Sequence, residues 1–224
     1  MILARRVALV VAALLVVVVG IALVLAVTWV RRPFPTTSGE ISVPGLSGTV
    51  NVIRDDHGIP QIYADTPEDL FRAQGFVQAQ DRFFEMDFRR HVTAGRLSEL
   101  VGVDSDALTA DKVVRTLGWR RVAEQELPLL SPDTQRYLQD YADGVNAYLK
   151  GRSPGAVSLE YVVLGHKVSH YKIEPWTPVD SLSWLKAMAW DLKANYDEEA
   201  ARAALAGTIP EPRIDELYPT YGFR

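Results

Sequence analysis

The side chains that could do chemistry in this chain are four histidines, one serine set between glycines, and two clusters of charged groups. His166 and His170 stand four residues apart, a spacing that puts two imidazoles on one helix face and suits a metal ion. The surrounding H-K-V-S-H-Y-K-I-E-P-W is a poor helix and contains no H-E-x-x-H pattern, so the pair reads as loop histidines. His57 falls in a turn cluster and His91 follows two arginines; both read as structural. A serine hydrolase of the elbow type needs G-x-S-x-G between a strand and a helix. Gly45-Leu46-Ser47-Gly48 misses that spacing and has no helix after it. There is no P-loop, no dinucleotide fingerprint and no cysteine, which excludes thiolate nucleophiles, thiolate metal sites and disulfides. No residue of this chain is assigned as catalytic.

The first charged cluster, Gln80-Asp81-Arg82, lies among apolar residues, with Arg89, Arg90 and Arg96 following at near-helical spacings. Buried charges require partners. The cluster therefore reads as an ion-pair and hydrogen-bond network holding helices to a hairpin. The second, Asp197-Glu198-Glu199, stands at a helix start after Asn195-Tyr196. Three acids there offset the positive end of the helix dipole. They are also the oxygen donors that a Ca²⁺ ion takes.

Local signals place the elements that must hold these groups. Thr49–Arg54 alternates and is rich in β-branched residues; Asp55-Asp56-His57-Gly58 is a turn; Pro60–Ala64 is the returning strand, making a hairpin with a connection of four or five residues. Thr66-Pro67-Glu68-Asp69 opens a long helix with a cap, a proline suited to the first position and two acids. In it Gly75 marks a close approach or a break. Further helices are expected at Arg96–Val101, Ala107–Leu117, Trp119–Leu130, Pro178–Leu192 and Asn195–Ala206, and Ser131-Pro132-Asp133 opens another with apolar positions from Tyr137 to Leu149. Gly151–Gly155 reads as a loop, Leu159–Leu164 as a short apolar element and His166–Thr177 as mostly irregular. The fold class is α+β: helices with one hairpin. Because an isolated hairpin is only marginally stable, its strands are expected to join a sheet supplied by further polypeptide.

The 224 residues, 48% hydrophobic, allow one substantial core. Net charge is -4; setting aside Arg5, Arg6, Arg31 and Arg32 leaves 20 basic and 28 acidic groups. That balance excludes a nucleic-acid binder with a basic face. Those arginines flank Val7–Val30, an apolar run of 24 residues. About 20 are needed to cross a bilayer, against about 7–15 in a cleaved signal. Residues 1–6 are thus expected to be cytoplasmic and 7–30 to be a signal anchor that leaves the body extracytoplasmic. Cleavage near Ala26 is the alternative and would yield a secreted body. Residues 31–48 read as a linker rich in Pro, Thr, Ser and Gly, 49–206 as the folded domain, and 207–224 as an irregular tail running on into more chain.

An ordered set of blocks resembles the penicillin amidase (penicillin acylase) family of N-terminal-nucleophile hydrolases. It comprises Arg54-Asp55 with Gly58-Ile59-Pro60 and Ile62-Tyr63-Ala64, Gly75-Phe76-Val77 with Ala79-Gln80-Asp81-Arg82, Gly95-Arg96-Leu97-Ser98-Glu99, Tyr141 to Ala147, and Trp190-Asp191-Leu192 with Asn195-Tyr196. Gln61 departs from the His usual there. The resemblance implies the α chain of a self-cleaving precursor and an αββα sandwich to which the hairpin and helices contribute. It implies a catalytic N-terminal Ser on a β chain absent here and a small-molecule N-acyl amide as substrate. It places Met188, Asp191 and Leu192 along the acyl pocket. It makes Glu199, with Glu198 as rival, this chain's ligand to a structural calcium ion shared with the β chain, and it implies no organic cofactor. An aromatic and an arginine that some relatives carry beside the pocket are not matched. Phenylacetyl and aliphatic acyl groups, including those of acyl-homoserine lactones, both stay open, as does a non-catalytic membrane-tethered scaffold.

Overall fold

A computed structural model describes residues 2–103, 105–192 and 196–219. The chain divides into two compact units, Met1–Trp184 and Leu185–Arg224.

In the first unit, helix α1 (Ile2–Arg31) carries a 23-residue stretch, Leu9–Arg31, long and apolar enough to span a bilayer. The next regular elements are strands β1 (Asn51–Arg54) and β2 (Pro60–Tyr63), paired antiparallel with Val52 opposite Ile62 and Ile53 opposite Gln61. The five-residue connection closes on Asp55, whose Oδ1 accepts from the His57 and Ile59 amides at 2.9 Å, while Gly58 takes φ +77°. Among the described residues these two strands form the whole sheet, and Val52, Ile53 and Tyr63 remain exposed.

Helix α2 (Pro67–Ala94) begins as the sequence predicts: Thr66 Oγ1 accepts from the Asp69 amide, and Gly95 at φ +64° ends it. Its break is at Arg82 (φ -153°, ψ 37°) and not at Gly75. Gly75 marks the close approach instead. A Cβ there would lie 2.1 Å from the Tyr141 carbonyl oxygen, and one on Gly144 would lie 1.9 Å from that of Arg72. The two glycines let the backbones of α2 and α6 (below) meet reciprocally, and this crossing centres the core: Ala79, Phe83 and Met86 pack with Ala142, Val145 and Tyr148.

The remaining elements of this unit are α3 (Leu97–Val101), α4 (Ser105–Leu117), α5 (Trp119–Glu126), α6 (Pro132–Leu149), α7 (Pro154–Val157), α8 (Glu160–Leu164) and the start of α9 (Pro178–Leu192). Two differ from expectation. The helix at Trp119 stops at Glu126 and passes into a 3₁₀ turn, because Pro128 has no amide hydrogen to continue the α pattern. Pro154–Val157 is a turn of helix where a loop is expected, fixed by burial of Ala156 and Val157. Short α3 is capped across the fold: Asp111 of α4 accepts from the Leu97 amide (2.6 Å) and the Ser98 amide (3.0 Å).

The linker is not a free tether along its whole length. Ser47 Oγ and the Ser47 and Gly48 amides donate to Asp69, Arg72 donates to the Pro44 carbonyl, and Gln80 to that of Thr36. The Ser47 bonds hold the Asp69 carboxyl below the ordinary range.

The second unit contains the end of α9, α10 (Tyr196–Leu205) and α11 (Glu211–Leu217). Helix α11 corrects the expectation of an irregular tail. Pro212 sets its first turn, Ile214 is buried, and Arg202 reaches both Asp215 and the Tyr218 carbonyl. Seven residues give too few turns for a period to be read.

Candidate functional site

The chemistry-bearing groups fall into a buried polar cluster and an exposed helical face. The cluster centres on Asp87, which has no exposed surface. Its Oδ1 accepts from Arg90 Nε (3.0 Å) and Nη2 (2.5 Å), and its Oδ2 from the hydroxyls of Tyr161 (2.6 Å) and Tyr171 (2.5 Å). Arg90 also donates to the Glu174 and Pro175 carbonyls. His91 Nδ1 lies 2.7 Å from the Asp87 carbonyl, which can only accept, so this nitrogen carries the hydrogen.

Burial works against the Asp87 charge, but the His91 ring, the Arg90 guanidinium and the Tyr161 hydroxyl outweigh it and hold the carboxyl well below the ordinary range. Tyr161 and Tyr171 are pushed up, first by burial and then by the Asp87 charge, and so stay neutral donors. With both carboxylate oxygens taken twice, the cluster holds shape and has no lone pair left to move a proton for a ligand.

The cluster also anchors the start of α9. Asp180 accepts from the Thr177 amide (2.7 Å), the Thr177 hydroxyl (2.8 Å) and Arg120 (2.6 Å), and stands 3.9 Å from Arg90. Thr177-Pro178-Val179-Asp180 is thus a helix cap tied into the core. Beside it, between α2, α6 and the first turns of α9, is a groove of about 510 Å³ lined by Phe71, Tyr137, Tyr141, Trp176 and Trp184. The Arg89 guanidinium lies 4.3 Å above the Trp184 ring. Burial pushes the Tyr141 phenol up to about 12, and it donates to Gln78. The groove presents apolar surface without a nucleophile–base pair.

The expected network at Gln80-Asp81-Arg82 exists in part. Asp81 takes a two-pronged bond from Arg54 of β1 (2.7 and 2.9 Å), fastening hairpin to helix, whereas Arg82 sits at the kink. Arg96 binds Glu99 and Glu174. Ser47 is a strap residue on Asp69, not part of an elbow. His57 lies in the hairpin turn, His91 in the buried cluster, and His166 and His170 are exposed.

Met188, Asp191 and Leu192 occupy the last turns of α9, in the second unit. Their i, i+3, i+4 spacing gives them one helix face, and all are exposed, Leu192 to 73%. Glu198 and Glu199 lie exposed in the first turn of α10; Asn195 lies outside the described residues. Among the described residues no three His, Asp or Glu side chains converge on a metal position. A carboxylate is the right donor for calcium, but an ion taking 6–8 oxygens is not caged by one glutamate.

Sequence reasoning missed Asp87, Tyr161, Tyr171 and Asp180. A signal existed for two of them: Asp87 stands at i+3 and i+4 spacing from Arg90 and His91, and Thr177 stands three before Asp180.

The model of the penicillin amidase family matches residues 49–222. The chain is 39% identical over 158 residues to the penicillin acylase 2 proenzyme of Pseudomonas sp. (strain SE83), a match covering 70% of this chain and 19% of that protein. The chain belongs to the penicillin amidase family. Over 187 residues it is also 35% identical to the acyl-homoserine lactone acylase QuiP of Pseudomonas aeruginosa, covering 84% of this chain and 21% of that one. It therefore spans about a fifth of the length of these curated relatives. Among solved structures, a thermostable penicillin G acylase from Alcaligenes faecalis matches with a TM-score of 0.61 and 29% identity, covering 78% of this chain and 93% of that one. The mostly helical body with its small two-stranded sheet is thus a fold shared with a penicillin amidase family member.

Proposed function

We propose that this chain is the N-terminal, α-chain portion of an acylase that hydrolyses the amide bond of an N-acyl compound. The observation that carries the reading is the family match over 49–222, among relatives named as acylases of penicillin or of acyl-homoserine lactones. The solved chain is almost wholly spanned by a region that makes up only a fifth of a relative named a proenzyme. That difference supports a precursor cut into chains.

On this reading the nucleophile is the N-terminal Ser of a second chain of the precursor, and its free α-amino group takes the hydroxyl proton as it attacks the acyl carbonyl. The present chain supplies scaffold and pocket. Its hairpin, with unpaired edges, extends the partner chain's sheet. Met188, Asp191 and Leu192 line the acyl pocket; all three are exposed, with Met188 and Leu192 supplying the apolar surface an acyl group needs. Glu199, or Glu198 in its place, gives one oxygen ligand to a structural calcium ion whose other ligands come from the partner chain. Helix α1 anchors the protein in a membrane with its body outside the cytoplasm.

The test is N-terminal sequencing of what copurifies with the chain expressed from its complete gene, with turnover of phenylacetyl and octanoyl anilides assayed alongside. A larger partner beginning with Ser, with activity in the assembly and none in residues 1–224 alone, is expected. Turnover by 1–224 alone, or no partner beginning with a nucleophile, overturns the proposal.

A further inference from the structure

Three cations line one cleft at the end of α6. Lys150, Arg152 and Lys172 line a second cleft of about 510 Å³, walled otherwise by Leu149, Ile173 and Pro175. All three are exposed in a chain whose net charge is -4. Among the described residues no ion pair engages any of them, while the Arg152 guanidinium lies 4.4 Å over the Tyr148 ring, which holds it in place. The one acid lining the cleft, Glu174, is taken by Arg96 at 2.8 and 2.9 Å, and that pairing lowers its pKa.

A plainer account exists for two of the cations. Lys150 and Arg152 follow the C-terminus of α6, where positive charge complements the helix dipole. It does not reach Lys172, which arrives from the irregular segment before α9 and is brought to the same cleft by the Tyr171 and Glu174 bonds on either side of it. The charge and the walls together select the ligand. Three positive groups exceed what one carboxylate neutralises and suit a phosphate group, and the apolar walls require an organic portion attached to it.

We propose that Lys150, Arg152 and Lys172 form a binding site for a phosphate ester bearing an apolar or glyceryl group. A soluble organophosphate and the head of an anionic phospholipid share that chemistry. The site is independent of the acylase reading.

Calorimetric titration of the detergent-solubilised, fully assembled protein with sn-glycerol 3-phosphate and with dihexanoylphosphatidylglycerol tests it. Saturable binding of at least one probe is expected, weakened tenfold or more by K150Q/R152Q/K172Q and unchanged by K112Q, which removes a cation elsewhere. Doubling the salt should weaken binding to the native protein. Binding of the glycerophospholipid alone assigns the site to a lipid head, and binding of glycerol 3-phosphate to a soluble ester. Absence of saturable binding to either probe, or binding that the triple variant retains, overturns the proposal. The three side chains are exposed, so an unchanged thermal midpoint in the triple variant verifies that lost binding is not lost folding.

Discussion

The Asp87 cluster and the face formed by Met188, Asp191 and Leu192 are connected by a single helix, yet their physics is opposite. At the start of α9, Asp180 and Ser183 are buried and the Asp180 carboxylate is satisfied by named donors. At its end Met188, Trp190 and Leu192 are exposed, and among the described residues after Trp184 only Ile214 is buried. The first region completes itself; the second presents apolar side chains to whatever covers it. Exposed large apolar surface marks an interaction or ligand site. On the proposed function the closed region is the scaffold and the open one the working face, and substitutions in each test that division.

The comparison breaks most severely at Asp87. Asp87→Ala leaves the Arg90 guanidinium buried without its counter-charge and two tyrosine hydroxyls without an acceptor. Removing one partner of a buried pair costs about 3–5 kcal/mol. Chemical denaturation should show that loss, or the variant should fail to accumulate as soluble protein. A denaturation midpoint close to that of the parent would mean that the cluster does not hold the scaffold together.

Next in size is Gly144→Ala. The added methyl would overlap the Arg72 carbonyl at 1.9 Å, so α2 and α6 must part along the whole core contact. Overpacking costs about 1–3 kcal/mol, and here the obstacle is backbone, which puts the expected loss at the upper end. The same measurement checks it, with Gly151→Ala as a contrast: that glycine has open space around its Cβ position, so a smaller loss is expected there, arising from its φ of +74°.

How legible each region was in the sequence follows from the distances over which it is built. The hairpin turn, the Thr66-Pro67 helix start and the Ser131-Pro132 start depend on neighbours within four residues, and local reasoning finds them. The Asp87 cluster draws on tyrosines 74 and 84 residues away, pairs that no spacing rule brings together. Arg90 was visible as a charge needing a partner, and Asp87 three residues before it was a local signal left unread; the tyrosines gave none. Helix α11 was hidden because one buried isoleucine leaves no period. The residues at the end of α9 were singled out through family resemblance, because nothing in their spacing distinguishes a binding face from any other exposed helix face.

The smallest expected effect on stability is also the one that sharpens the comparison most. Leu192→Ala removes a side chain that is 73% exposed, and surface changes of this kind shift stability by about 0.5 kcal/mol or less; Met188, 36% exposed, is partly covered, so Met188→Ala should cost about 1 kcal/mol. If the face lines an acyl pocket in the assembled enzyme, the same substitutions should alter the ratio of kcat/KM between octanoyl and phenylacetyl anilides. Each substitution removes three non-hydrogen atoms, and even one methylene in an apolar pocket is worth roughly tenfold in discrimination. Stability losses no larger than these with a shifted ratio would separate the working face from the scaffold. The same small losses with an unchanged ratio would remove these two residues from the pocket. A large stability loss in the assembled protein would show instead that the face is buried structurally against the partner chain, making it scaffold like the region at the other end of the helix.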